Sequence, residues 1–433
     1  MKKLIIILGL IFLMSLNGYS QWLSQTSPTT RSLKKIFVVN TTTAYIAGDY
    51  QVILKTTNSG AQWTKLKENA NGYTLYDAIF YNENTGIFVG GGYWGNKTTY
   101  QGLIFRTPNG GLSWDSIVVN NICFLKVAFI DPMNGFAGGW SAAGTSPLFK
   151  TTDYGQNWSQ VSNLPCLSNV MALTFINANT GWAAGDSTSL IQGVIKTTNG
   201  GASWFTCKNF GSSMNSQIYS IKFVDANTGW LVGVESSPSW VGLIMKTTDG
   251  GFTWTQQTNH CFNEIYDVWF ADANTGWVTS DGPQLQKTTN GGINWNVQTI
   301  SSTSFLNSVQ FVDANTGWCV GEMGQIFYTN NGGGTISVRN ISTEIPDAYT
   351  LNQNYPNPFN PSTKIRYSIP KNSLVRLTIF DALGREVQTL VNQSQVAGTY
   401  EATFEAGNYP SGIYFYKLSA GDFSDVRKMI LVK

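Results

Sequence analysis

The chain has 433 residues and a formal net charge of +2, and only 12% of its residues are charged. So slight a charge argues against a nucleic-acid binder, which would carry a basic stripe. Five cysteines without CxxC spacing and a single histidine, His260, argue against a zinc or haem centre, so neither metal nor cofactor is expected. Abundant glycine and 13% aromatics suit short strands joined by tight turns, an all-β composition.

In chain order, residues 1–20 combine Lys2 and Lys3, a short apolar run from Leu4 to Leu16, and small residues Gly18 and Ser20. This reads as a secretory signal peptide cut after Ser20. The run is short of the roughly 20 residues that span a bilayer. No later stretch is apolar enough, so the mature form is expected to carry no transmembrane segment.

Residues 21–335 are built from a repeat. The phrase "VDANTGWxVG" returns in seven copies, the clearest at 221–233, 268–280 and 309–321, the most worn at 36–48. After it comes "KTTNGGxxW", as in "KTTDGGFTW" ending at Trp254. Each unit reads as four antiparallel strands, and a repeat of about 40–50 residues is that of a propeller blade. The expectation is a seven-bladed β-propeller. The motif around Asp153 and Trp158, around Asp249, Gly251 and Trp254, and around Asn290 and Trp295 resembles the Asp-box of sialidase-like propellers. That resemblance implies a structural hairpin between third and fourth strands, with the acid capping the turn and the Trp packing between blades. The recurrent cations Lys55, Arg106, Lys150, Lys196, Lys246 and Lys287 are expected to form exposed ion pairs with Asp225, Asp272, Asp313 and their equivalents.

The seventh unit lacks its Trp. Residues 21–48 align without gaps on 294–321, which places Trp22 on Trp295. The N-terminal strand is therefore expected to complete the last blade; the rival is the strand carrying Ile336.

The first and third turns are monotonous, and the variety falls on the opposite face. Candidate ligand-binding residues there are Tyr76, Tyr93, Trp94, Trp140, Tyr219, Trp240 and Tyr266. Tyr76, Tyr219 and Tyr266 share one repeat position just before the innermost strand, so they should gather at the central channel, either as a stacking surface or as a plug. Catalysis is not expected. A sialidase needs three arginines, and residues 22–333 hold only Arg31 and Arg106. The alternative is a propeller glycoside hydrolase, with two carboxylates drawn from Glu68, Asp77, Asp186, Glu235, Glu264, Asp267, Asp281 and Glu322. The repeat wording is similar to the propeller of photosystem II assembly and stability factors. That implies a non-catalytic binding scaffold, and the photosystem role does not transfer, because the arginine-rich patch of that family is missing.

After Thr335 the composition shifts. Residues 336–350 read as a linker and 351–433 as a small immunoglobulin-like β-sandwich with alternating strands. Pro356, Asn357, Pro358, Phe359, Asn360, Pro361, Gly384, Gly398, Gly412 and Lys428 resemble the type A sorting domain of the type IX secretion system of Bacteroidetes-type bacteria. The resemblance implies that secretion machinery as partner, with delivery outside the cell or to its surface. The whole then reads as an exported binding module for an extracellular glycan or protein.

Overall fold

The computed structural model describes residues 22–94, 99–141, 147–162, 164–187, 192–211, 216–235, 240–258, 264–298, 300–333, 338–342, 344–406 and 409–433. The expected signal peptide and Ile336 lie outside the described residues. The chain divides into two compact units, with the division at Gly334/Thr335.

In the first unit the described residues form seven four-stranded antiparallel sheets. Six are single repeats, beginning with the innermost strands Leu33–Val38, Thr74–Phe80, Ile122–Phe129, Ala172–Phe175, Ser216–Phe223 and Ile265–Phe270 (sheets 1–6). Sheet 7 joins Leu306–Phe311, Thr316–Gly321 and Ile326–Asn330 to the N-terminal strand Leu23–Gln25, which pairs antiparallel with Ile326–Tyr328. Sheet 1 also packs on sheet 7, so the sheets form a closed ring, the layout of a propeller.

Five of the seven neighbouring pairs share a joint built on a stacked ring pair. Trp230 of sheet 5 stacks on Phe270 of sheet 6 at 3.5 Å between ring centroids, and Trp295 of sheet 6 meets Phe270 edge-on. Trp182, Phe223 and Trp254 repeat this between sheets 4 and 5, and Trp277, Phe311 and Trp22 between sheets 6 and 7. Trp22 is 2% exposed and Trp295 1%. Trp22 thus fills the place of a repeat tryptophan although the strand it precedes pairs with one about three hundred residues further on.

Polar contacts complete the joint. In all seven motifs a threonine Oγ accepts from a glycine N–H four residues on, at 2.8–3.0 Å: Gly60, Gly111, Gly155, Gly201, Gly251, Gly292 and Gly333. Gly251 has φ +100°, a conformation that favours glycine. The Asp249 carboxylate accepts from the threonine hydroxyl of Thr247 at 2.8 Å and from the backbone N–H of Phe252 and Thr253. Burial raises its pKa, but those bonds outweigh burial and hold it down to about 2. Asn290 occupies the same position with the same acceptor geometry, so the turn needs an oxygen acceptor rather than a charge.

The recurrent cations do not form the expected ion pairs. Lys246 Nζ and Trp230 Nε1 both donate to the Gly291 carbonyl of the next sheet, at 2.9 and 3.2 Å. Lys196 and Trp182 do the same to Gly250, and Lys55 and Tyr45 to Gly110. The lysines lie 4.8–5.1 Å from the ring centroids of Trp182, Trp230, Trp277 and Tyr45. Of the six cations only Arg106 forms a salt bridge among the described residues, to Asp115. Asp225, Asp272 and Asp313 instead cap their own turns through backbone N–H groups at 2.7–2.8 Å. At the closing joint Tyr328 replaces the lysine, and Gln25 of the N-terminal strand takes over its role. Gln25 Nε2 donates to the Ser59 carbonyl at 2.8 Å, and its Oε1 accepts from Trp63 Nε1.

In the second unit two four-stranded sheets share a single core that includes Phe359, Tyr367, Leu377 and Tyr416. Residues 336–350, read as a linker, contribute one whole strand and the first residue of another. Val338–Ser342 pairs with Thr399–Ala402, and Thr350–Leu351 pairs with Tyr367–Ser368. The Tyr355–Pro361 segment docks on the last strand: Phe359 is buried and exchanges backbone bonds with Ile430 and Val432, while Asn357 Oδ1 accepts from Ile430. Gly384 turns a hairpin at φ +77°, Gly398 and Gly412 begin strands, and Lys428 is exposed with its carbonyl bonded to Gln353.

Trp22→Ala should destabilise the first unit by about 3–5 kcal/mol, the cost of truncating a buried tryptophan. The half-exposed Phe252, truncated likewise, should cost under about 1 kcal/mol. Urea titration followed by fluorescence measures both; equal costs would contradict closure by the N-terminal strand.

Candidate functional site

The innermost strands carry a shared irregularity. In six sheets the ladder slips by one residue, leaving Lys34, Tyr76, Leu125, Tyr219, Tyr266 and Asn307 as the extra residue of a β-bulge. A bulge re-aims a side chain and bends its strand. These six side chains, with Met171 from sheet 4, line one cleft of about 620 Å³ at the mouth of the ring's central channel. Trp140, Phe305, Gln217, Asp186, Glu264 and Glu322 add to its wall.

Beneath the bulges lies a ring of side chains that is polar at six of its seven positions. Lys35, Asp77, Lys126, Ala172, Ser220, Asp267 and Ser308 share the next repeat position. Lys35 Nζ lies 2.9 Å from Asp267 Oδ2, which also accepts from Ser308 Oγ at 2.8 Å; Ser220 Oγ donates to Asp267 Oδ1 at 2.9 Å. Four sheets therefore converge on one carboxylate. Burial works against both charges of the Lys35–Asp267 pair, but their mutual attraction wins, raising the lysine and lowering the acid. Asp77 and Lys126 shift the other way, each driven towards neutrality by burial that partial pairing does not offset. Asp77 is held by the backbone N–H of Ala78 and Val127. Asp77 and Asp267, counted among the candidate catalytic acids, thus belong to the buried floor. Glu68 is bound by Arg31 and Lys65.

Of the candidate ligand residues the cleft gathers Tyr76, Trp140, Tyr219 and Tyr266. Tyr219 and Tyr266 lie 5.9 Å apart at a 36° tilt, and the Tyr219 hydroxyl donates to Glu264 Oε2 at 2.9 Å. The three tyrosines are half-buried rather than a sealed plug. Burial pushes the Tyr76 phenol up to about 12, and burial then Glu264 raise Tyr219 and Tyr266. Trp240 is 56% exposed and does not line the cleft. The side chains of Tyr93 and Trp94 lie outside the described residues. Asp186 takes a bond from Asn169 Nδ2 at 2.6 Å, yet burial leaves its carboxyl above the usual range. Among the described residues no three His, Cys, Asp or Glu side chains form a metal-binding group, and Cys123, Cys166, Cys207 and Cys319 are free. Lys34, Leu125, Met171, Asn307 and the floor lysines were missed by sequence reasoning. The signal was present: a polar residue at one repeat position inside otherwise apolar strands.

Residues 353–433 match the family model of the secretion system C-terminal sorting domain. Residues 202–296, and again 256–355, match that of the photosynthesis system II assembly factor YCF48. A search of curated proteins gives no match. Among solved structures, YCF48 bound to D1 peptide is 14% identical with a TM-score of 0.54, over 72% of this chain and 97% of that one. YCF48 from Cyanidioschyzon merolae is 16% identical at 0.54, over 71% and 98%. The GH74 xyloglucanase from Xanthomonas campestris is 12% identical at 0.56, over 81% of this chain and 60% of that enzyme. At these identities the likeness is one of fold, a propeller. The sorting domain marks the chain for secretion or the cell surface. No helix among the described residues is long and apolar enough to cross a membrane.

Below the cleft Lys222 Nζ sits 3.9 Å from the Trp269 ring centroid, and burial, then the charge of Lys35, pull its pKa down to about 8. A lysine depressed on folding stabilises fully only above its unfolded pKa of about 10.4, and that stability is lost as pH falls through the folded value. The melting temperature of the parent relative to Lys222→Met should therefore rise between pH 7 and about 9.5, a window below tyrosine titration. A difference independent of pH would contradict a buried ammonium.

Proposed function

We propose that this chain, a propeller of YCF48-like repeats ending in a type IX secretion sorting domain, is an extracellular, non-catalytic recognition module that binds its ligand in the central cleft. On this reading the first unit is a seven-bladed propeller and the second an immunoglobulin-like sandwich that serves export. One observation carries the proposal. The glycine turns at the inter-sheet joints keep one threonine-to-glycine bond throughout, whereas the bulge residues at the cleft range over lysine, tyrosine, leucine and asparagine. A rigid repeat that varies at one mouth is suited to recognition there. The size agrees with ligand pockets of roughly 300–1,000 Å³.

Glycan and peptide arrays probed with the exported chain test the idea. Tyr266→Ala and Trp140→Ala should each weaken the captured ligand roughly thirtyfold, about 2 kcal/mol, as for interface anchors. Trp240→Ala should leave binding unchanged. Equal affinity for all three would remove the cleft from the account.

A second reading, glycoside hydrolysis, is favoured by one feature: the raised carboxyl of Asp186 shares an aromatic cleft with Glu264 and Glu322. Release of reducing ends from xyloglucan or another glycan, abolished by Asp186→Asn, would establish it in place of simple binding.

For export, a reporter fused to residues 338–433 should reach the medium or cell surface in a host with this system. One fused to 353–433 lacks two strands of the sheets and should be exported less. Equal export of both would contradict the role given to those strands.

A further inference from the structure

We propose that the occupant of the central cleft is a cationic side chain, a lysine or arginine displayed by an extended polypeptide. This rests on the recognition-module reading and adds the chemistry of the ligand.

The cleft is two-sided. Leu125, Met171 and Trp140 give it an apolar wall from sheets 3 and 4. Sheets 5 to 7 face it with Tyr219 and Tyr266 and with the carboxylates of Glu264 and Glu322. A lysine or arginine matches this asymmetry, because its aliphatic stem packs on apolar surface while its head seeks anions and aromatic faces. The same pairing already serves as structure in this molecule, where Lys196, Lys246 and Lys287 lie over tryptophan rings at the joints.

The charges of the cleft are only partly compensated on that side. Lys34, at the mouth, is 3.7 Å from Glu322 and 4.0 Å from Asp49, so it divides one charge between two acids. Lys126, at the floor, is driven towards neutrality by burial, which the nearby Asp77 only partly opposes. Among the described residues neither Glu264 nor Asp186 forms a salt bridge. Glu264 accepts one bond, from Tyr219, which leaves most of the roughly four acceptor sites of a carboxylate for a ligand. The Tyr266 phenol registers the field: after burial, Glu264, Asp281 and Glu322 all raise its pKa. An anionic ligand would add to that field. A neutral sugar could stack on the tyrosines but would leave the acids as they are. The cleft also exceeds the volume of one side chain, so residues flanking the cation have room, as an extended segment requires.

The test is calorimetry of the full chain with acetylated, amidated tetra-arginine and tetra-lysine at low and moderate salt. Tetra-glutamate, cellohexaose and a chitosan hexamer are the comparison probes. The cationic peptides should bind and tetra-glutamate should not. The double variant Glu264→Gln/Glu322→Gln, with an unchanged melting temperature, should bind them at least tenfold more weakly. Tyr266→Phe, which keeps the ring, should bind within twofold of the parent, and Tyr266→Ala should lose binding. Equal binding by parent and double variant would overturn the proposal, since the peptides would then be held elsewhere. Preference for the chitosan hexamer would overturn the polypeptide source. Binding of cellohexaose in the cleft without the cationic peptides would overturn the cation while leaving the recognition reading intact. No binding of any probe to the parent would count against both.

Discussion

The first unit is organised around a recurrent contact, complete at three of its seven joints: an aromatic and a lysine of one sheet reaching the same backbone carbonyl in the next sheet's glycine turn. Trp230 and Lys246 on Gly291, and Trp182 and Lys196 on Gly250, are the clearest cases. Most conspicuous residues of the repeat follow from it. The threonine and the acid or amide shape the turn so that its carbonyl projects, the glycines permit that backbone, and the terminal tryptophan walls the ring stack from the far side. None of these groups is free to act on a ligand. A motif that looks like chemistry is therefore spent on architecture, and variation is confined to the opposite end of the strands.

The closing joint shows how a missing donor is replaced. Sheet 7 has Tyr328 in place of the lysine, and sheet 1 has Val38 where the other six sheets carry a phenylalanine. The Ser59 carbonyl that would be left without its usual donors is taken by Gln25, on the strand that also brings Trp22. Ring closure and carbonyl satisfaction thus arrive together from one short N-terminal segment. A strand that only covered a sheet edge would not need to reach across to sheet 1.

Much of this was legible in the sequence because it is repeated. Register, the turn glycines and the equivalence of Trp22 with Trp295 can be read by superposing copies. The lysines were misread because their partner is a backbone carbonyl in another repeat, which side-chain patterns do not display. The cleft was half legible. Tyr76, Tyr219 and Tyr266 share a position that can be seen, but their projection depends on bulges, and nothing in the local wording announces the slip. Lys35, Asp77, Lys126 and Asp267 interrupt apolar strands at one position, a pattern that marks a polar axis once it is noticed. The segment 336–350 misled because its composition is that of a linker, whereas its strand residues are specified by distant partners such as Tyr400 and Ser368.

If the joints interlock the sheets into one cooperative ring, the turns should not open one at a time. Native-state hydrogen exchange of the seven turn amides, Gly60, Gly111, Gly155, Gly201, Gly251, Gly292 and Gly333, measures this directly. The account predicts one common opening free energy for all seven, equal to that of global unfolding. Fast local exchange at any of them, above all at Gly60 or Gly333 beside the closing joint, would contradict it.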